Sequence, residues 1–477
     1  GLCSIGASVV TLGVVPTPAV ACLTVSHRMD AGVMISASHN PFQFNGIKIF
    51  GPKGYKLTDE EEAEIEDMIL DDAIPMHKAE AGEIGRHTQG EDLAVEYIRH
   101  IAGTVPGEQP LRGMKVLADC ANGSASRTAR ELFALLGADA DVICREPDGV
   151  NVNQDCGSTH IENLRDRVKA GGYHLGVAFD GDADRCLAVD EKGNLVDGDQ
   201  MIAIFATEMK RQGTLCHDTA VVTVMSNYGF MNFAKENGVT VKTTKVGDRY
   251  VLETMLAQGY NIGGEQSGHI IFTDYMTTGD GQLSAIQLMR VMKDTGKPLS
   301  QLTKVITILP QVLVNMEATV DMKAGLAESL EITAAVRACE EELAGKGRVL
   351  IRPSGTEPLI RVMVEGPDQE QITGIANRLL GPFGRPSREG GRRLAGFCPS
   401  GCQRRGKAGA VGGGHPHPPR PPGDLADRKG PGLAKGRRPL SPLPEGGRPV
   451  GVPQPDPGVL DHRLWGEPAV QDQPHGV

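Results

Sequence analysis

The stretch "HLGVAFDGDADRCLAVD", His174–Asp190, sets two short apolar runs around an acidic loop. Within the loop Asp180, Asp182 and Asp184 alternate around Gly181 and Ala183. Three carboxylates this close repel one another unless a cation joins them, and hard oxygen donors suit Mg²⁺ or Mn²⁺. The nearest competitor is an EF-hand loop, because Asp180, Asp182, Asp184 and Glu191 occupy its positions 1, 3, 5 and 12. That reading fails at position 6, where the sharp turn needs glycine and Arg185 stands. It fails again on context, since strand-like rather than helical runs flank the loop. A solvated acidic turn is the remaining alternative.

Outward from this loop, strand and helix patterns alternate. "MKVLADCANGSASRTARELFALLGA", Met114–Ala138, reads as strand, small-residue turn and helix. "TAVVTVMSN", Thr219–Asn227, reads as a strand, and "DRYVLETMLAQG", Asp248–Gly259, as a helix. "LTDEEEAEIEDMIL", Leu57–Leu70, opens with a capping box of Thr58 and Glu61 and sets Ile65, Met68 and Ile69 on one helical face. "KGRVLIRPSGTEPLIRVMVEG", Lys346–Gly366, reads as two strands around a polar loop. The alternation predicts α/β units with mixed or parallel sheets. No Walker A sequence occurs and no GxGxxG follows a strand, so the common nucleotide loops are absent.

Three further loops carry chemistry-bearing residues. In "MISASHNPF", Met34–Phe42, Ser38 sits beside His39 in an Asn-Pro turn, with Lys48 ten residues on. Serine is a weak nucleophile without a base or metal, and no GxSxG elbow is present, so a turn serine is the competing reading. In "GGEQSGH", Gly263–His269, the residues Glu265, Ser267 and His269 alternate, and an extended backbone would set them on one face. The alternative is a hairpin corner. In "RPSGTEPLIR" the hydroxyls of Ser354 and Thr356, the small Gly355 and the guanidinium groups of Arg352 and Arg361 suit a phosphate nest, although Pro-Ser-Gly-Thr is also an ordinary turn. "KVGDRYV" places Lys245, Gly247, Asp248 and Arg249 at the head of a helix.

Length and charge narrow the function classes. The 477 residues suggest three or four domains. Formal net charge is -11, yet residues 381–477 hold 15 Lys/Arg against 8 Asp/Glu, so the body carries -18. An acidic body argues against nucleic acid as a partner. Ten cysteines form no CxxC pair, which fits a reducing cytosol and a cytoplasmic protein. No run of 18 apolar residues is present, so no membrane partner is expected. The chain opens on Gly1 without methionine and runs into "ASVVTLGVVPTPAVACLTV", which reads as a start inside a first domain. From 381 onward Gly, Pro and Arg dominate and apolar periodicity stops. That composition reads as a disordered tail, of the kind GC-rich DNA gives when translated out of frame.

Taken together, "ISASHNPFQFNGIKIF", "DGDADR", "VGDRYV", "IGGEQSGHI", "TTGDG" and "RPSGTEPLIRVMVEG" resemble the α-D-phosphohexomutase superfamily, over about Gly1 to Leu380. Gln266 and the Gly-Asp-Arg of 247–249 resemble the branch that acts on glucosamine phosphates rather than the glucose/mannose branch. The resemblance implies four α/β domains around a central cleft: 1–88 with the serine loop, 89–193 with the metal loop, 194–305 with the sugar loop and 306–380 with the phosphate loop, followed by the 381–477 tail. It implies that Ser38 is a phosphoserine, that one Mg²⁺ is held by Ser38, Asp180, Asp182 and Asp184, and that glucosamine 1,6-bisphosphate is intermediate and activator. Lys48 and Arg185 would hold phosphoryl oxygens, Lys48 or His39 would shuttle the hydroxyl proton, and His269 would assist. Glu265, Ser267, Gly247 and Asp248 would hold the sugar of a hexosamine phosphate, and Arg352, Ser354, Gly355, Thr356 and Arg361 its far phosphate. The family suggests homodimers. In it a "GTDGxRG"-like segment precedes the position of Gly1, so the first domain reads as incomplete. The rivals are a phosphoglucomutase or phosphomannomutase, a metal-dependent phosphatase, and an inactive fragment of the family.

Overall fold

Each apolar run of the alternating pattern forms a sheet strand, and the polar loops between paired runs become the turns that carry the site. The structure is a computed structural model, and it describes residues 1–70, 78–326, 329–354 and 358–380. The tail expected to be disordered, 381–477, and two residues of the phosphate loop, Gly355 and Thr356, lie outside the described residues.

Near the N-terminus the helix Thr17–Ser26 leads into an antiparallel pair, Gly32–Ser36 with Gly46–Phe50. Val9–Thr11 pairs in parallel with His87–Gln89. The capping box at Thr58 and Glu61 forms as read, with both reciprocal hydrogen bonds at the head of the helix Asp59–Leu70. Its apolar stripe differs from a core-facing one: Met68 and Ile69 are exposed.

The next unit is a five-stranded sheet in the spatial order Asp139–Ile143, Lys115–Asp119, Leu175–Phe179, Cys186–Asp190, Leu195–Val196. The first three are parallel, and each of the last two runs antiparallel to the strand before it. Leu175–Phe179 and Cys186–Asp190 are buried along their whole length, as strands covered on both faces must be. The metal loop is therefore the turn of a buried hairpin, flanked by strands rather than helices. Glu191, the twelfth position of the rejected EF-hand, turns away to accept hydrogen bonds from Ser300.

A four-stranded sheet follows, in the order Thr240–Thr244, Thr219–Thr223, Ile262–Gly264, Ile270–Phe272, with only the last strand antiparallel. The final described unit is an antiparallel three-stranded sheet in which Leu359–Glu365 lies between Gln311–Glu317 and Arg348–Pro353. The helices Leu330–Leu343 and Gln369–Leu380 supply its apolar cover, with Cys339, Leu343, Ile372, Ile375 and Leu379 packed on Val349, Val362 and Val364.

Candidate active site

All four expected loops join antiparallel strand pairs, which is why each appears in the sequence as a polar insert between two apolar runs. The serine loop follows Gly32–Ser36. Ser38 has φ 52, a left-handed backbone that a serine adopts only under constraint. The constraint is visible. The Ser38 N–H donates to Ser36 Oγ at 2.9 Å, and its carbonyl accepts from Gly181 N–H at 3.2 Å and Asn153 Nδ2 at 2.7 Å. This fixes the hydroxyl, whose Oγ donates to Asp180 Oδ2 at 3.2 Å and lies 3.5 Å from His39 Nδ1.

Asp180, Asp182 and Asp184 are buried and each offers an oxygen within 4.8 Å of the others'. Burial, followed by the neighbouring carboxylates Asp182 and Asp184, pushes the Asp180 carboxyl well above the usual range. Asp184 goes the other way: burial would raise it, but the charges of His269, Lys48 and Arg185 outweigh burial and hold it well below. Lys48 Nζ reaches from Gly46–Phe50 to pair with Asp182, and with Asp184 at 2.8 Å. Burial opposes its charge, yet the two carboxylates raise its pKa above the ordinary lysine value. Arg185 Nε lies 4.0 Å from Asp184 Oδ1. His39 is depressed by burial first and by Arg185 second, which favours the neutral ring.

The donor set fits a hard dication. It is all oxygen, its one lysine neutralises only part of its charge, and Asp182 Oδ1 and Asp184 Oδ1 are buried without a hydrogen-bond partner among the described residues. Arg185 Nε and Ser267 Oγ are likewise enclosed without a hydrogen bond.

The sugar loop corrects one expectation. Glu265 to His269 is not extended, so its alternate side chains do not share a face; it is the turn between Ile262–Gly264 and Ile270–Phe272. Glu265 N–H donates to the His269 carbonyl and Gly268 N–H to the Glu265 carbonyl, with Gly268 at φ 90. Glu265 Oε1 accepts from Gly247 N–H at 3.0 Å, which joins this loop to the head of the helix Asp248–Gln258. Gln266 Nε2 donates to Asp197 Oδ2 at 3.3 Å. His269 is enclosed, 2% exposed, with Nδ1 3.6 Å from Asp184 Oδ2 and Nε2 3.4 Å from Asp248 Oδ2. Asp248 also pairs with Lys56. Burial would raise its carboxyl, but His269 and Lys56 prevail and set it at about 2.

In the phosphate loop Arg352 and Arg361 are register partners on adjacent antiparallel strands. Burial, then the charge of Arg361, disfavours the Arg352 cation. Two facing guanidinium groups stabilise a bound anion and repel each other without one. Ser354 is buried and its N–H donates to the Leu359 carbonyl at 2.8 Å.

Sequence reading missed three contributors. Asn153 donates to the carbonyls of both Ser38 and Asn40. Thr17, at the start of its helix, donates Oγ1–H to Asp182 Oδ2 at 2.7 Å and its N–H to the Asp182 carbonyl. Lys56 pairs with Asp248. Their partners are 113 to 192 residues away, so no local pattern marks them.

The fold and site define a class: a multi-domain α/β protein with a constrained serine, an acidic loop that fits a hard dication and a loop flanked by two facing arginines. The chain matches the phosphoglucomutase/phosphomannomutase models in order, alpha/beta/alpha domain I over residues 1–74, domain II over 95–193, domain III over 197–308 and the C-terminal domain over 313–381. It belongs to that family. The phosphoglucosamine mutase of Acetivibrio thermocellus is 53% identical over 380 residues, covering 80% of this chain and 84% of that protein. That of Clostridium tetani is 52% identical over 382 residues, with the same coverage. Among solved structures, a phosphoglucomutase/phosphomannomutase family protein from Burkholderia thailandensis superposes with TM-score 0.67 at 23% identity, covering 80% of this chain and 84% of that one. An Aspergillus fumigatus N-acetylphosphoglucosamine mutase, solved with GlcNAc-6P and magnesium, gives TM-score 0.60 at 20% identity, covering 76% and 91%. At these identities the two structures establish the shared fold.

Proposed function

We propose that this chain interconverts glucosamine 6-phosphate and glucosamine 1-phosphate through a phosphorylated Ser38 and a 1,6-bisphosphate. The observation that carries the reading is Ser38 Oγ held against Asp180 in the acidic loop that Lys48 enters from the neighbouring strand. The names of the similar curated proteins support the amino-sugar substrate.

In the first half-reaction the Ser38 Oγ–P bond breaks as a sugar O–P bond forms, the attacking sugar hydroxyl giving up its proton and Ser38 Oγ taking one. The second half-reaction reverses this, breaking the other sugar O–P bond and re-forming the Ser38 Oγ–P bond. Such transfers depend mainly on positioning and charge neutralisation. Ser38 is positioned by its strained backbone and three hydrogen bonds. Mg²⁺ held by Asp180, Asp182, Asp184 and the serine group would supply charge neutralisation at the transferred phosphoryl. Lys48 and Arg185 add positive charge beside it. With Asp180 assigned to the metal and the Lys48 ammonium committed to two carboxylates, His39 Nδ1, 3.5 Å from Ser38 Oγ, exchanges the proton of the Ser38 hydroxyl. His269 is a positioning residue that ties Asp184 to Asp248. Glu265, Ser267, Gly247 and Asp248 bind the sugar, and Arg352, Ser354, Gly355, Thr356 and Arg361 bind the phosphate that is not reacting. The reading places the reaction in the cytoplasm, upstream of UDP-N-acetylglucosamine, in a homodimer.

The test is phosphosite mapping by mass spectrometry after incubation with Mg²⁺ and glucosamine 1,6-bisphosphate. One phosphoryl group on Ser38, discharged by glucosamine 6-phosphate and more slowly by glucose or mannose 6-phosphate, is the expected result. Label at another residue, or release of inorganic phosphate without glucosamine 1-phosphate, would overturn the assignment.

A further inference from the structure

A second group of donors lies behind the serine loop, and the phosphoryl chemistry uses none of it. Asp119 ends the strand Lys115–Asp119, Cys144 follows Asp139–Ile143, and Cys156 precedes the turn Gly157–Thr159. A carboxylate oxygen of Asp119 and the two sulfurs all lie within 4.8 Å of one another. Asp119 and Cys156 are buried, and Cys144 is half-buried.

The surroundings orient these groups toward one another. Asp119 Oδ1 accepts the Ala121 N–H at 2.9 Å, which fixes the carboxylate plane. Its Oδ2 is enclosed without a close hydrogen bond among the described residues, and the Gly157 N–H and the Cys144 thiol lie beside the carboxylate. Asn122 Nδ2 lies 3.6 Å from Cys156 Sγ. The chain around the cluster is held in the left-handed region at Ala121 (φ 55), Asn122 (φ 46), Cys144 (φ 48) and Asp155 (φ 53), none of them glycine. Such residues cost on the order of 1–3 kcal/mol each and persist where surroundings demand them.

Two chemistries suit a pair of adjacent thiols: oxidation to a disulfide, or metal binding. The carboxylate decides between them. A third donor beside the sulfurs contributes nothing to a disulfide, whereas a dication is stabilised by all three anions at once. Two thiolates and a carboxylate also differ in kind from the all-oxygen Asp180 loop. Sulfur donors select a borderline-soft ion, and oxygen donors Mg²⁺. Two Zn–S bonds of about 2.3 Å at a tetrahedral angle set the sulfurs about 3.8 Å apart, so a contraction of about 1 Å at most completes the geometry.

We propose that Asp119, Cys144 and Cys156 form a second metal site, taking a thiophilic dication such as Zn²⁺, with the fourth position open to water. Binding displaces the two thiol protons to solvent. The site braces the serine loop. Asn153, three residues before Cys156, holds the carbonyls of Ser38 and Asn40, and its own N–H donates to the Ala121 carbonyl at 2.9 Å. Ser124 N–H, beyond Ala121, donates to the Gly181 carbonyl of the Mg²⁺ loop at 2.8 Å.

The test titrates the reduced full-length chain with Zn²⁺ in a large excess of Mg²⁺, followed by desalting and metal analysis, with Co²⁺ as the spectroscopic probe. One retained equivalent of zinc and a thiolate-to-cobalt charge-transfer band are expected. Cys144→Ser and Cys156→Ser should abolish the band, and Asp180→Asn should leave it intact. Zinc that desalts away from the unsubstituted protein, a cobalt spectrum without sulfur charge transfer, or retention that survives both cysteine substitutions would overturn the site.

Discussion

The metal loop and the phosphate loop are the same local device, a polar turn between paired antiparallel strands, placed in opposite surroundings. Around Asp180–Asp184 the strands on either side are buried at every position, and neighbouring backbone closes on the turn. A Cβ on Gly181 would lie 2.5 Å from the Ser38 carbonyl oxygen, one on Gly268 2.2 Å from that of Cys186, and one on Gly281 2.2 Å from that of Arg185. The strand Arg348–Pro353 is buried only at Val349. There the site is made by register, which sets Arg352 opposite Arg361. Enclosure gives a loop one geometry and shifts its ionisation. A half-solvated arginine pair stays adaptable, which suits the proposed role of anchoring a bisphosphate in either orientation.

Ser38→Ala removes the group on which the enclosed loop closes. Turnover should fall by roughly 10⁴-fold or more with the melting temperature nearly unchanged. Substantial residual mutase activity would show that the enclosure serves some other group. Gly181→Ala breaks the enclosure itself. Because the obstructing atom is backbone, relief requires the two loops to separate, at a cost of about 1–3 kcal/mol. Both kcat and melting temperature should drop, and a variant that loses neither would mean the loops are not interlocked. Arg361→Ala acts on the open loop, where KM should rise about 10- to 100-fold with stability kept, because like-charge repulsion is relieved as a ligand contact is lost. A loss of folding instead would make that arginine structural.

The smallest effect concerns Asp280, which caps the helix Gly281–Thr295 by accepting Leu283 N–H and also accepts the Tyr97 hydroxyl. Burial raises its carboxyl to about 7, against about 4 in an unfolded chain. The folded state thus binds the proton more tightly. Its contribution to stability is complete below about pH 4 and is lost as pH rises through about 7. Asp280→Asn keeps the capping oxygen without the charge, so chemical denaturation between pH 5 and 8 should show a flatter decline. An unchanged slope would assign the decline to other groups, among them Asp197, which burial raises to about 6.

Much of this was legible because it is local. Alternating apolar runs specified the strands, glycines and polar inserts specified the turns, and Thr58 with Glu61 announced a helix start that forms as read. Ser38 and the three aspartates stood out because their spacing is itself the chemistry. The extended reading of Glu265–His269 failed because alternation over five residues does not distinguish a strand from a hairpin turn. Gly268, at φ 90, was the signal that favoured the turn.

The sequence by itself determined which residues can ligate, donate or cap, and which short segments pair, because covalent structure and near-neighbour sterics act over a few residues. Tertiary structure alone decided that Asn153 holds the serine loop, that Thr17 and Lys48 reach Asp182, and that His269 bridges Asp184 and Asp248. It also decided that Asp119, Cys144 and Cys156 meet. Those outcomes depend on burial and on contacts between distant segments. A carboxylate's charge state follows from the atoms packed around it, and these come from all along the chain.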